Sequence, residues 1–453
     1  MRFLSLFSML LFLPTASFSE FYNTQSFKFN MREATGYSGN GLIGWSLMEV
    51  FDLNNDGFDD LIFGTYVNDE KTNLHSPTEF IKPVVFFWNK KIGLYRIQKD
   101  VQKKLPKLHW PRRIKGSINQ LTGNAELFIA DHGLDGGHAP NCGAKNKIVT
   151  FHDKEVINVS TPFDINDYSH GLAFTDLNLD GRLDYFILNS PFISREECKQ
   201  GKYTNDSYML LSKGEDTFER KEISFKFKSY GAKPYFDSGA IIRVFDQSYF
   251  VGGRGYSEKT KSGLDIFEIN LDGKFKQKQF IPAPKIMARK PSYSEVISDN
   301  TSVPAFFAGL AETDMNWRGR YIQRLELKGS EFIDVSNNVE QINPQRQDSE
   351  NMPDWCSVLS IANWNGDDYL SCSTHTPYLQ GRPKLYIREN NQILAIPNTS
   401  QSASFNEWDN RELNIIRHGN ENKLVAWDLR AGPHPVKGEA WEGIIINIIN
   451  YRP

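Results

Sequence analysis

Seven times along this 453-residue chain, at intervals of about sixty residues, a pair of apolar strand-like runs recurs around a short polar turn. The pairs run from Leu47 to Phe63, Ser117 to Ala130, Leu172 to Leu188, Ile241 to Gly252, Glu295 to Gly309, Val358 to Cys372 and Asn414 to Trp427. After each comes a polar connection and then a second hairpin, as at residues 84–98, 147–160, 208–223, 265–280, 322–336 and 384–396. Alternating β-branched and aromatic residues around Asn, Asp, Gly or Lys turns are the hairpin signature. Each repeat therefore reads as a four-stranded antiparallel blade. The seventh lacks its last strand, because the chain ends in Gly443-Ile-Ile-Ile-Asn-Ile-Ile-Asn-Tyr451, and Ser26-Phe-Lys-Phe-Asn30 at the other end is the spare strand that completes it. The expectation is an all-β, seven-bladed β-propeller closed by pairing its first and last strands, which leaves no blade unfinished. An open two-sheet sandwich is the competitor.

Two of the inner turns carry an oxygen-rich pattern, D-x-N-x-D-G-x-x-D, at residues 52–60 and 176–184. A hard cation such as calcium takes six to eight oxygens at about 2.3 to 2.6 Å, and carboxylates at alternate positions of a tight turn supply them. The expected ligands are Asp52, Asn54, Asp56, the carbonyl of Phe58 and Asp60 in the first loop. In the second they are Asp176, Asn178, Asp180, the carbonyl of Arg182 and Asp184. Gly57 and Gly181 sit where the chain must turn sharply. An EF-hand would need a glutamate at position twelve and flanking helices, and neither is present. The same residues also suit a plain hairpin turn, but two copies sharing every ligand-type position favour metal.

With these loops set on that repeat, the chain resembles the FG-GAP or VCBS-repeat propellers, the group that includes the integrin α-subunit head. Blade six keeps a worn version, Asn363-Trp-Asn-Gly-Asp-Asp-Tyr-Leu370, one residue short and with Ser371 where the last carboxylate would fall. Two calcium sites are expected, with the third position in blade six too worn to bind tightly.

Residues 1–19, with Arg2, an apolar stretch and small residues Ser17 and Ser19, read as a cleaved secretory signal, leaving residues 20–453 as one domain. The product is expected in the exterior or the periplasm. Losing Arg2 leaves 51 basic against 55 acidic residues, a net charge of −4, which argues against nucleic acid or an anionic membrane as generic partner. The four cysteines suit an oxidising compartment, and neighbouring positions in the repeat suggest Cys356–Cys372 and Cys142–Cys198. The other two connectivities remain open.

In an antiparallel blade the inner turns define one rim, and the connections between second and third strands define the other. Those connections carry His132, His138, Tyr256, Trp317, Arg318, His375, Tyr378, Arg382, Arg430 and His434. Loops on a rigid ring are the usual place for recognition. Trp317, Tyr378, Arg382 and Arg430 are the candidate contacts with a protein or glycan. Asp131, His132, Asp135, His138 and Cys142 could hold zinc but lack close paired spacing, so a glycine-rich ordered loop is preferred. No nucleophile elbow, P-loop, dinucleotide fingerprint or H-E-x-x-H occurs. The expected function is an exported, calcium-binding recognition module without turnover. The alternative is a calcium-dependent, lyase-like enzyme that degrades polysaccharide.

Overall fold

The computed structural model describes residues 20–39, 42–68, 77–133, 143–189, 203–204, 206–214, 217–226, 235–254, 261–285, 291–299, 303–312, 318–341, 358–364, 367–373, 384–389, 392–396, 412–430 and 443–452. These build seven antiparallel blades in chain order, a seven-bladed β-propeller. Blade one runs Leu42–Phe51, Asp60–Asn68, Val84–Asn89 and Leu94–Ile97 from the axis outward. The innermost strands of blades two to seven are Pro111–Ile118, Ser169–Thr175, Phe236–Val244, Pro291–Asp299, Val358–Trp364 and Glu412–His418. Each meets the inner strand of the next blade, and the seventh meets the first, so the ring is closed.

Closure follows the expected route. The strand Glu20–Asn30 pairs antiparallel with Gly443–Arg452 and completes blade seven. It is longer than the Ser26–Asn30 stretch read from alternation, and its register slips once between Asn23 and Gln25. Alternation is broken at that slip, which hides the first half of the strand from a period-two reading.

The hydrophobic core is a ring of seven clusters, one at each interface between neighbouring blades. Blade one packs on blade two through Leu47, Ile62 and Phe87 against Leu127, Ile129 and Val149. Blade seven packs on blade one through Val425, Trp427 and Ile446 against Phe63 and Phe86. Strands buried on both faces explain the near-continuous apolar runs, such as Leu61, Ile62 and Phe63, all inaccessible to solvent.

Short pieces decorate one face. Helix Met31–Thr35 links blade seven to blade one, capped by the Asn30 side chain, which accepts from Glu33 N–H, and ended by Gly36 at φ 69°. Helix Lys99–Lys104 links blade one to blade two. Both lie on the face opposite the inner turns.

Candidate functional site at the mouth of the central channel

Among the described residues, five inner strands carry a β-bulge at a similar level, near their first residues. The unpaired positions are Ser46, Arg112, His170, Asp237 and Ser294 in blades one to five. A bulge re-aims one side chain out of the pleat. In blades two, three and four the re-aimed side chains meet. Arg112 Nη2 lies 3.3 Å from His170 Nε2, and His170 Nδ1 lies 3.0 Å from Asp237 Oδ1. Ser292 Oγ donates to Asp237 Oδ2 at 3.3 Å from the next blade. Guanidinium can only donate, so Nε2 accepts and the ring proton sits on Nδ1, donated to Asp237. His170 thus turns a basic lone pair toward a cation at the channel mouth.

Aromatic residues back this chain of polar groups. Arg112 lies over the Trp110 ring at 4.5 Å, and Trp110 packs on Tyr66 at 5.3 Å. His132 is fully buried, with its ring 3.8 Å from that of Tyr168 and 5.1 Å from that of His170. Its Nδ1 donates to the Ser169 carbonyl at 3.2 Å. The start of the blade-two strand is pinned by Asp131, which accepts from His109 N–H at 2.9 Å and Trp110 N–H at 2.8 Å. Asp131 is therefore occupied by backbone, and burial pushes its pKa up.

Deeper in the channel, Arg113 Nη2 of blade two bonds Glu295 Oε2 of blade five at 2.9 Å. These blades are not neighbours, so the pair spans the channel. Burial outweighs the opposing Arg113 charge and pushes the Glu295 carboxyl up to about 7. Beside it Lys115 pairs with Glu49 at 3.2 Å.

The two oxygen-rich loops occupy the opposite rim and share one backbone form. Asn55 and Leu179 have φ 53° and 59°, and Gly57 and Gly181 both have φ 84°. Only glycine holds that last conformation without strain. In each loop the first Asp accepts two amides: Asp52 takes Asp56 and Gly57 N–H at 3.0 and 2.8 Å, and Asp176 takes Asp180 and Gly181 N–H at 3.1 and 2.9 Å. The last Asp is fully buried and also backbone-bonded, Asp60 to Leu53 and Trp88 N–H, Asp184 to Leu177 and Ser212 N–H. Asp56 and Asp180 bond the amides of Phe58 and Arg182, whose own carbonyls are the expected ligands. Among the described residues no three His, Cys, Asp or Glu side chains converge in a metal-holding group.

Two observations nevertheless suit a cation. Asn54 Oδ1 is buried without a hydrogen-bond partner, and burial raises Asp60 well above its ordinary value and Asp184 to about 6. Protein cations already face the first loop, with Arg417 Nη2 3.0 Å from Asp52 and Lys154 Nζ 3.8 Å from Asp56. In blade six, Arg388 holds Asp368 at 2.9 Å and also pairs with Asp299.

Of the expected contacts, Trp317, Tyr378 and Arg382 lie outside the described residues, as do Tyr256, His138, His375 and His434. Arg430 ends the second strand of blade seven, and its side chain is likewise not described. Cys142, Cys198 and Cys356 are outside as well, while Cys372 is fully buried and disulfide-bonded. His132 is a correction to the reading of exposed loop residues, because it directly follows the strand that ends at Asp131, its N–H bonds the Trp110 carbonyl at 2.9 Å, and packing on Tyr168 and Trp110 encloses it. Arg112, His170 and Asp237 lie on strands, not in the connections to which the sequence assigns recognition. The available signal was polar residues breaking the apolar starts of inner strands, in Pro-Arg-Arg-Ile114, Ser-His-Gly-Leu172 and Phe-Asp-Ser-Gly239.

No family model and no curated protein matches the chain. Solved structures similar in fold include a polysaccharide lyase of family PL25, an ulvan lyase, at 10% identity and TM-score 0.41, covering 91% of this chain and 98% of that one. A β-fructofuranosidase from Bombyx mori is 10% identical over 90% of this chain and 92% of its own, with TM-score 0.35. An α-L-arabinofuranosidase from Clostridium thermocellum is 11% identical over 63% of this chain and 93% of its own, with TM-score 0.34. At such values the likeness carries no argument about chemistry, which must come from this chain's own side chains.

Proposed function

We propose that this protein is an exported propeller that takes an acidic saccharide at its channel mouth, with calcium stiffening the opposite rim. The observation that supports it is the line of bulged residues Arg112, His170 and Asp237 from three successive blades. Arg112 offers a planar fork to a carboxylate or sulfate and is held in place over the buried Trp110 ring. Calcium would be held by Asp52, Asn54, Asp56, Phe58 and Asp60, and by Asp176, Asn178, Asp180, Arg182 and Asp184. It would satisfy the orphan Asn54 oxygen and lower the cost of the buried aspartates.

One specific observation favours turnover as a second reading. A histidine oriented by a buried carboxylate on Nδ1, whose Nε2 lone pair is released when Arg112 turns to a ligand anion, is a general base in form. With a uronate carboxylate neutralised by Arg112, Nε2 would take the proton from the carbon bearing that carboxylate. The electron pair forms the new C=C bond, the C–O bond to the next sugar breaks, and the leaving oxygen takes a proton from the imidazolium.

Binding to a panel of uronate-containing and sulfated polysaccharides, with ultraviolet detection of unsaturated ends, separates the readings. Binding lost in Arg112→Ala without new unsaturated ends supports recognition. Unsaturated ends that vanish in His170→Ala support turnover. Binding unchanged in Arg112→Ala overturns both.

A further inference from the structure

On the same face as the mouth, helices Met31–Thr35 and Lys99–Lys104 wall a cavity of about 570 Å³ beside blade one. Its lining includes Lys82, Lys99, Lys103 and Lys107, with Glu33 the one acidic residue among the described residues that line it. Lys82 Nζ donates to the carbonyls of Gln102, at 3.3 Å, and of Lys103. Among the described residues none of Lys82, Lys99 and Lys107 pairs with a carboxylate, and burial together with the Lys107 charge lowers the Lys82 pKa. Cations gathered without a counter-charge repel one another, and an anion relieves that repulsion.

A path joins this cavity to the mouth. Phe80 lines the cavity, is half exposed, and packs tilted on His109 with ring centroids 3.5 Å apart. His109 precedes Trp110, whose ring carries Arg112.

We propose that the lysine cavity is a second anion subsite for the same ligand, so that the protein takes a polymer with repeated carboxylate or sulfate groups, laid from the channel mouth across Phe80 to the lysines. This rests on the reading of the mouth as an acidic-saccharide site. A single acidic sugar fills the mouth alone, whereas a chain engages both.

The test compares polygalacturonate, dextran sulfate and monomeric galacturonate by titration calorimetry at low and high salt. The double variant Lys82→Ala/Lys107→Ala is expected to weaken polymer binding about tenfold and flatten its salt dependence while leaving the monomer unchanged. Lys107→Glu, on an exposed side chain, gives the same readout should the double variant fail to fold. Polymer affinity and salt dependence unchanged in a folded lysine variant overturn the proposal, as does wild-type protein that binds neither polymer. If Arg112→Ala leaves both ligands unaffected while the lysine variant loses the polymer, the mouth reading falls and the lysine site stands as an anion site of its own.

Discussion

Asp237 decides which nitrogen of His170 carries the proton. An Asp237→Asn substitution keeps size but places an amide that donates to Nδ1, moving the ring proton to Nε2 against the Arg112 guanidinium, itself only a donor. Ligand affinity, or turnover if it is present, is then expected to fall on the order of a hundredfold with little change in melting temperature. A variant that retains full function shows that the tautomer is irrelevant. Asp167 is a second residue whose protonation state matters. It accepts from Asn146 Nδ2 at 3.0 Å, Asn189 Nδ2 at 3.3 Å and the Tyr208 hydroxyl, yet burial outweighs these bonds and pushes its pKa up to about 7. The folded protein holds this proton more tightly than the unfolded chain does. Its contribution to stability is full below about pH 4 and is lost as pH rises through 7. Melting temperature measured from pH 4 to 8 should decline less in Asp167→Asn than in wild type; equal slopes refute the assignment.

At the scale of loops and strands, both oxygen-rich turns reach back to the preceding blade through the same carbonyl. Gly57 O accepts from Gly419 N–H of blade seven at 2.8 Å, and Gly181 O accepts from Gln120 N–H of blade two at 2.9 Å. The second loop adds a buried bidentate pair, Arg182 to Glu126, with both contacts at 2.9 Å. Arg182→Ala should therefore destabilise by about 3 to 5 kcal/mol, because Glu126 is left charged and unpaired inside the ring. Chemical denaturation checks this, and a loss below 1 kcal/mol contradicts it. Calcium is expected to favour the second loop. Asp52 and Asp56 already face Arg417, Lys90 and Lys154, whereas Asp176, Asp180 and Asp184 have no Lys or Arg partner among the described residues. Terbium luminescence should thus drop more in Asp180→Ala than in Asp56→Ala. Calcium at a hundredfold excess over its dissociation constant should add about 2.7 kcal/mol of stability. No calcium-dependent rise in melting temperature would remove metal from both loops.

For the molecule as a whole, closure by Glu20–Asn30 is what makes seven blades one body. Phe27 belongs to the cluster shared by blades seven and one, so deleting residues 20–30 exposes that interface and removes the outer partner of Gly443–Arg452. The truncated chain should melt well below the full one and self-associate through the open edge, as light scattering would report. A monomer of unchanged melting temperature would show that closure is dispensable. The number of blades and the closing strand were legible in the chain because each repeat must bury its own apolar faces and turn at Asn, Asp or Gly. That pressure is local and leaves a period. The shared left-handed glycines at 57 and 181 were legible for the same reason.

The mouth was not legible as a site, since Arg112, His170 and Asp237 stand 58 and 67 positions apart, and a polar residue breaking the apolar start of a strand does not say which partners it meets across the ring. Sequence by itself determined the blades, their order and the paired turns, because backbone pairing and apolar burial act within one repeat. Only the closed ring decided which bulged side chains meet at the axis, because that meeting is set by packing between repeats distant along the chain.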